Sequence, residues 1–283
     1  MAIENVSDTA RWVAVYRAME TARPDAIFHD PFADRLAGER GRAILGEMKH
    51  GRAYAWPMIV RTAVFDEIIL DAVRTKKVDL VVNLAAGLDA RPWRMPLPPS
   101  LHWVDVDLPG ILNYKTETLK DEAPVCRYEA VTVDLRDAAA RQALFARLGA
   151  GSTRALVISE GLLVYLEPEQ VAALATDLHA QPSFQEWLID LASPQLLKRM
   201  SRTWGKKLEE SGAPFRFGPA ESTAFFQPYG WREAEYRSLW EEAQRLHRTM
   251  KGAWLWNLIG RLSPKKSREA FRRFSGLVVL ERE

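Results

Sequence analysis

Val78-Asp79-Leu80-Val81-Val82-Asn83-Leu84-Ala85-Ala86-Gly87-Leu88 is the stretch on which the fold turns. Val78 to Leu84 reads as a short apolar strand, and Ala85-Ala86-Gly87 ends it. A glycine at that point permits positive φ and lets a ligand approach the backbone. Working outward, His102 to Asp107 is a second strand, and Pro109 starts a helix that runs to about Lys120. Cys126 to Val133 is a third strand, ending at Asp134-Leu135. Asp137 caps a helix that stops near Gly149. Ala155 to Ser159 is a fourth strand. Pro168 opens a helix with Val171, Leu174 and Leu178 on one face, and Trp187 to Leu191 is a fifth strand. Strand and helix alternate from residue 78 to 191. That order predicts an α/β fold with a parallel sheet and helices on both faces.

The flanks differ from this core. Before residue 76 the chain reads as helices. Trp12, Val15, Tyr16 and Met19 form a stripe after Ser7 and Asp8. Asp30-Pro31 suits a cap and first turn, with Gly38 as the stop, and Pro57 opens a longer helix whose apolar face holds Val64, Phe65, Ile68, Ile69 and Val73. After the fifth strand, Ser193-Pro194 opens a helix. A further helix is expected around Tyr236 to Leu246, and a last strand over Gly276 to Leu280. Residues 193–230 hold Trp204, Phe215, Phe217, Phe225 and Phe226 among turn residues, which suits a mobile cover over a pocket.

Composition narrows the class. The chain has 283 residues, 47% apolar and 27% charged, in the range of a single globular domain. Lys and Arg number 39 against 37 Asp and Glu, so no global field favours nucleic acid or a membrane. Met1 to Ala10 is polar, unlike a secretory leader, and Leu80 to Leu88 is too short to span a bilayer. Cys126 is the single cysteine, which excludes an intramolecular disulfide and fits a reducing cytoplasm. The ten tryptophans suit both a filled core and an aromatic-lined pocket.

Parallel sheets bind ligands at the carboxyl ends of their strands. Those positions carry Gly87, Asp107, Asp134 and Glu160. Asp107 lies twenty residues after Gly87, where a carboxylate accepts hydrogen bonds from the ribose of a nucleotide cofactor. Asp105 points the same way and is its rival, and a helix cap before Pro109 is the bland alternative. Asp134 suits the amino group of an adenine, with Leu135 against the ring; a turn residue fits as well. Glu160 ends an apolar strand and needs solvent or a partner, which a cationic ligand would supply. A dinucleotide fits poorly. The turn has one glycine, and Asp89 would repel a pyrophosphate, whereas S-adenosylmethionine carries no phosphate.

Several motifs in order now carry a resemblance. Asn83 through Arg91, Val104 through Pro109 with Lys115, and Ser159 through Leu166 are similar to signatures of the leucine carboxyl methyltransferase-like family. Ser7 through Arg11, Asp30-Pro31 and Arg61-Thr62 resemble its bacterial branch, and Tyr229-Gly230-Trp231 is a weaker echo. The resemblance implies a class I methyltransferase (Rossmann-like) fold with an N-terminal helical extension, an inserted cap and S-adenosylmethionine as cofactor. It implies that Gly87 meets the methionine part, Asp107 the ribose, Asp134 and Leu135 the adenine, and Glu160 the amino end. Arg61 and Arg11 match positions that hold the cofactor carboxylate, for which a bidentate fork is suited. Where this chain has Ala85, the family often has glycine.

The implied reaction is O-methylation of a carboxylate or hydroxyl on a small molecule. No base stands out. His29, His50, His102, His179 and His247 are scattered, which also argues against a metal site. Trp12, Tyr16, Tyr165, Trp204, Phe225 and Phe226 are the aromatic candidates for an acceptor pocket, and each suits a core equally. The main rival is a nucleic-acid methyltransferase using the basic stretch Arg261 to Arg273. Against it, the loop after the fourth strand reads Ser159-Glu160-Gly161-Leu162, without the amide-and-prolines pattern common for base amines. A non-catalytic partner-binding module is the other rival, and the retained strand-end acids speak against it.

Overall fold

A computed structural model describes residues 6–48, 51–210, 214–250, 252–253 and 264–283. Its elements are α1 (Val6–Thr21), α2 (Ala33–Glu47), α3 (Ala55–Thr75), β1 (Leu80–Leu84), α4 (Arg91–Arg94), β2 (His102–Asp107), α5 (Pro109–Thr118), β3 (Arg127–Thr132) and α6 (Ala138–Ala150). They continue with β4 (Ala155–Ser159), α7 (Pro168–His179), β5 (Phe184–Ala192), α8 (Pro194–Glu210), β6 (Trp231–Ser238), α9 (Leu239–Arg245), a helix over Lys265–Arg272 and β7 (Ser275–Arg282).

All seven strands join one sheet in the order β3-β2-β1-β4-β5-β7-β6. β1 to β5 run parallel, as the alternation predicts, while β7 is antiparallel to both β5 and β6. The sheet is parallel over the span that the alternation covers, and β7 and β6 make the whole of it mixed. β1 and β4 are fully buried apolar strands. Val82, Val104, Val157 and Trp187 pack on one face, while Val81, Trp103, Leu156 and Leu188 pack on the other. A third cluster joins α1, α2 and α3 through Tyr16, Leu36, Ile44 and Ile59. Asp137 caps α6 as read, accepting from the Ala140 amide at 3.1 Å.

Two local expectations fail for identifiable reasons. β6 occupies residues expected to start a helix. Its pairing with β7 shifts between Glu233 and Glu235, and that irregularity breaks the period-two alternation that marks a strand. The helix begins only at Leu239. Gly38 does not stop α2 but kinks it, with φ 61° and ψ −174°, and the helix resumes to Glu47. Asp30 pairs with Arg17 at 2.8 Å and accepts from the Phe32 amide, and α2 starts at Ala33. Among the described residues, no helix is long and apolar enough to cross a membrane.

Candidate active site

The chain leaves β1 toward β2 and leaves β4 toward β5, so a crevice opens where these two adjacent strands end. A cavity of about 1120 Å³ lies there. A single small ligand usually occupies no more than about 1,000 Å³, so there is room for two. One wall is made by the strand ends. The other is made by α1, the 3-10 turn Gly51–Tyr54 with the start of α3, α8, residues 214–217, and C-terminal residues that include Trp240, Phe271 and Phe274.

On the strand wall the chain turns sharply. Ala85 and Gly87 both adopt positive φ, at 53° and 52°. The Gly87 amide donates to Asp107 Oδ2 at 2.7 Å, and the Leu108 amide donates to Asp107 Oδ1 at 2.7 Å. Asp107 lines the cavity, and burial raises its pKa above the ordinary carboxylate value despite those two donors. Its rival Asp105 is fully buried elsewhere. Asp105 accepts from Lys115 Nζ at 2.5 Å, Trp103 Nε1 at 2.9 Å and Asn83 Nδ2 at 3.1 Å. That neutralised carboxylate anchors α5 to the sheet and has no face toward the cavity.

Beside the turn lies a cluster of acids and arginines. Arg61 Nε donates to Glu160 Oε1 at 2.9 Å, and its Nη1 donates to Asp190 Oδ2 at 2.9 Å. Arg91 reaches Glu160 at 2.8 Å, Asp89 at 2.7 Å and Asp66 at 2.7 Å. Arg94 forks onto Asp66 with two bonds of 2.7 Å. Burial works against the charged form of each arginine, but the neighbouring carboxylates outweigh it, so Arg61, Arg91 and Arg94 stay firmly cationic. Burial likewise opposes ionisation of Asp89, yet Arg91, Lys115 and Arg94 hold it at about 2. Four carboxylates thus face three guanidinium groups, leaving one negative charge in a largely dry place. An α-amino acid ligand that also bears a sulfonium has one net positive charge, so the residues present fit S-adenosylmethionine.

Gly161 completes the cluster. Its φ is +69°, its amide donates to Asp190 Oδ1 at 2.7 Å, and a Cβ there would lie 3.0 Å from Arg61 Nη1. Asp190, Arg91 and Asp66 received no role from the sequence. Asp190 lies near the carboxyl end of β5, which runs on to Ala192, while Glu160 directly follows β4, so nearness to a strand end was the available signal. Asp66 sits inside α3 and gave none.

A family model described as leucine carboxyl methyltransferase matches residues 10–179. The chain belongs to the leucine carboxyl methyltransferase family. A Mycobacterium avium protein, named as an S-adenosyl-L-methionine-dependent methyltransferase, is 32% identical over 81% of this chain and 84% of its own length. A Mycolicibacterium smegmatis protein of like name is 35% identical over 62% of this chain, and the chain spans just under two thirds of that relative, at 63%. Among solved structures, a DUF574 family protein from Streptomyces avermitilis superposes with a TM-score of 0.61 at 14% identity, covering 97% of both chains. A magnesium protoporphyrin IX methyltransferase from Synechocystis with bound S-adenosylhomocysteine gives a TM-score of 0.51 at 13% identity, covering 87% of this chain and 94% of that one. These likenesses show the class I methyltransferase fold.

Set against the family's motifs, most expected positions reach the cavity. Arg61, Gly87, Asp107, Asp134, Leu135 and Glu160 all line it. Asp134 is held below the ordinary carboxylate range by hydrogen bonds from Arg136, which covers it at 2.7 Å. Arg11 does not reach the cavity. Its guanidinium lies 3.8 Å over the Tyr114 ring, and Arg17 faces the cavity from the same helix instead. The family's frequent glycine is explained by the positive φ at Ala85, where a side chain costs roughly 1 kcal/mol. Trp12, Tyr16 and Tyr165 line the cavity. Phe225 and Phe226 do not. They sit in the 3-10 turn Ser222–Tyr229, where Phe226 packs edge-on to Trp187 and Phe225 against Phe217. Phe226 is fully buried in the core and Phe225 is half-buried against it, so neither stands on the cavity as an acceptor contact. The Trp204 side chain lies outside the described residues.

Proposed function

We propose that this chain transfers the methyl group of S-adenosylmethionine to an oxygen of an apolar small molecule, a carboxylate first and a hydroxyl otherwise. The carrying observation is the cluster of Arg61, Arg91, Glu160 and Asp190 with its single excess negative charge beside the Gly87–Asp107 turn. In this reading Glu160 accepts from the cofactor's ammonium and Arg61 donates to its carboxylate. Asp107 accepts from the ribose hydroxyls, Asp134 accepts from the adenine amino group, and Leu135 packs on the ring. S-adenosylmethionine supplies an electrophilic methyl group, already activated by its sulfonium. What remains for the protein is to align donor and acceptor and to exclude water.

The acceptor's chemistry follows from which groups can take a proton. No histidine lines the cavity among the described residues. His102 lies at the start of β2 against Glu129, and His179 against Trp231, both away from it. Tyr165 faces the cavity, but burial pushes its pKa up to about 12 even though Arg61 opposes the shift. Its hydroxyl therefore stays protonated and is no base for an acceptor. A carboxylate arrives ionised and needs no base. The basic C-terminal stretch is partly committed within the fold, since Arg272 pairs with Glu241 and Arg273 with Glu233; Arg261 lies outside the described residues.

The test is to incubate the protein with methyl-labelled cofactor and a panel of apolar acids and phenols. An oxygen-linked label is expected, released as methanol by mild alkali if an ester and retained if an aryl ether. Label on nitrogen, carbon or sulfur defeats the reading.

A further inference from the structure

The second wall of the cavity differs from the first in its ionisable groups. It is built by apolar and adaptable side chains such as Met48, Trp56, Met58, Met200 and Phe215. Of the six acids that line the cavity among the described residues, only Glu167 borders this wall, and it is taken by Arg216. Asp89, Asp107, Asp134 and Glu160 stand at or just after strand ends, Asp190 holds Arg61, and Glu167 pairs with Arg216.

Seven arginines line the cavity among the described residues. Six are answered by carboxylates: Arg17 by Asp30, Arg61 by Glu160 and Asp190, Arg91 by Asp66, Asp89 and Glu160, Arg94 by Asp66, Arg136 by Asp134, and Arg216 by Glu167. Arg199, on α8, has no acid partner among the described residues. It is exposed, and so are Lys198 and Arg202 on the same helix. Two further donors stand on lining residues. Trp12 Nε1 and Ser238 Oγ are buried without a hydrogen-bond partner. An indole N–H only donates. Among the described residues, this wall therefore presents apolar surface and one cation without an acid partner, Arg199, and the carboxylate that borders it, Glu167, is taken by Arg216. An ammonium group would find no unpaired counter-charge there, whereas an oxyanion would.

We propose that the acceptor is an apolar molecule bearing an anionic oxygen group, and that Arg199 is the residue that selects it over neutral and cationic analogues. The proposal rests on the reading of this cavity as a methyltransferase site and adds the charge of the molecule that enters it. Guanidinium suits the task because its planar fork matches carboxylate, sulfonate and phosphate oxygens alike.

The test uses two fluorescent probes of one shape, anilinonaphthalenesulfonate and its uncharged counterpart N-phenylnaphthylamine. Each is titrated into the full chain saturated with S-adenosylhomocysteine. The sulfonate is expected to bind at least about tenfold more tightly, the scale of one charge-assisted hydrogen bond. Arg199→Gln should abolish that preference and leave the uncharged probe within about twofold of its original affinity. Leu196→Trp, which fills the apolar wall beside Arg199, should weaken both probes. Circular dichroism and calorimetric binding of S-adenosylhomocysteine report whether each variant is folded. Equal affinities for the two probes in the unaltered chain would overturn the proposal. So would an Arg199→Gln variant that keeps the preference, or probes indifferent to Leu196→Trp. Failure of S-adenosylhomocysteine to bind the unaltered chain defeats the cofactor reading instead, and the probe preference of the same chain still decides the role of Arg199.

Discussion

The two walls of the cavity solve opposite problems. The strand wall is a lattice of charges in which every arginine is answered by an acid, and its backbone is forced into positive φ at Ala85, Gly87 and Gly161. The helical wall is mostly apolar, and among the described residues it leaves Arg199 without an acid partner. A cofactor common to a whole family calls for a fixed, pre-oriented frame. An acceptor site that is separate from that frame can be re-lined without disturbing it. The two walls come from different parts of the chain, and this separation allows one to vary while the other stays.

The largest expected effect lies on the strand wall. Asp107→Ala should lower affinity for S-adenosylhomocysteine by at least about a hundredfold, because two hydrogen bonds to a charged acceptor disappear together. Its fold should survive, as judged by an unchanged circular dichroism spectrum. The unaltered chain should also lose affinity as pH falls, starting above the ordinary carboxylate range because burial raises the Asp107 pKa. Near-normal calorimetric affinity in the variant would remove the ribose role from this turn altogether, since the bond to Lys115 already commits Asp105.

Asp89 tests stability rather than binding. Its pKa is held at about 2, below its unfolded value, so its ionised form stabilises the fold. That contribution is present above the unfolded value and is lost as pH falls through about 2. Asp89→Asn should therefore cost on the order of 2 kcal/mol at neutral pH. Urea unfolding at neutral pH should show the difference, and near pH 2 it should largely vanish; a difference that persists there would show that Asp89 acts through packing.

Asp190→Asn is the finer probe of the same lattice. It keeps an acceptor for the Gly161 amide but removes the charge facing Arg61. Cofactor affinity should fall about tenfold, with little change in the affinity of an acceptor analogue measured by fluorescence. A drop confined to the acceptor would place Asp190 on the other wall. The smallest effect expected is none. Among the described residues no cluster of histidine, cysteine and carboxylate has metal-ligating geometry. Prolonged chelation should leave methyl transfer unchanged, and restoration of a lost activity by magnesium would contradict this.

Much of the strand wall was legible because each of its residues follows a strand. β1 to β4 are short strands followed or ended by Gly87, Asp107, Asp134 and Glu160, so short-range pattern and the rule of strand ends point to the same place. Other features were illegible because they depend on partners far away in sequence. β6 lacks clean alternation and exists through its pairing with β7, some forty residues on. Phe225 and Phe226 look like pocket aromatics until Trp187 and Phe217 are seen to cover them. Asp105 and Asp107 share one strand face and one charge, and the buried Lys115 is what separates a structural acid from a cavity acid.

The amino-acid sequence by itself determined the alternating core, the strand-end acids and the family, because periodicity and local turn chemistry act over a few residues. Tertiary structure alone decided the mixed sheet, the withdrawal of Arg11 onto Tyr114, the pairing of Asp190 with Arg61 across 129 positions, and the absence of an acid partner for Arg199 among the described residues. Each of those depends on which side chains meet after collapse. A charge is answered or left unanswered only by the neighbours that folding brings within a few ångströms, and the Coulomb interaction that settles the matter depends on that separation and on local burial.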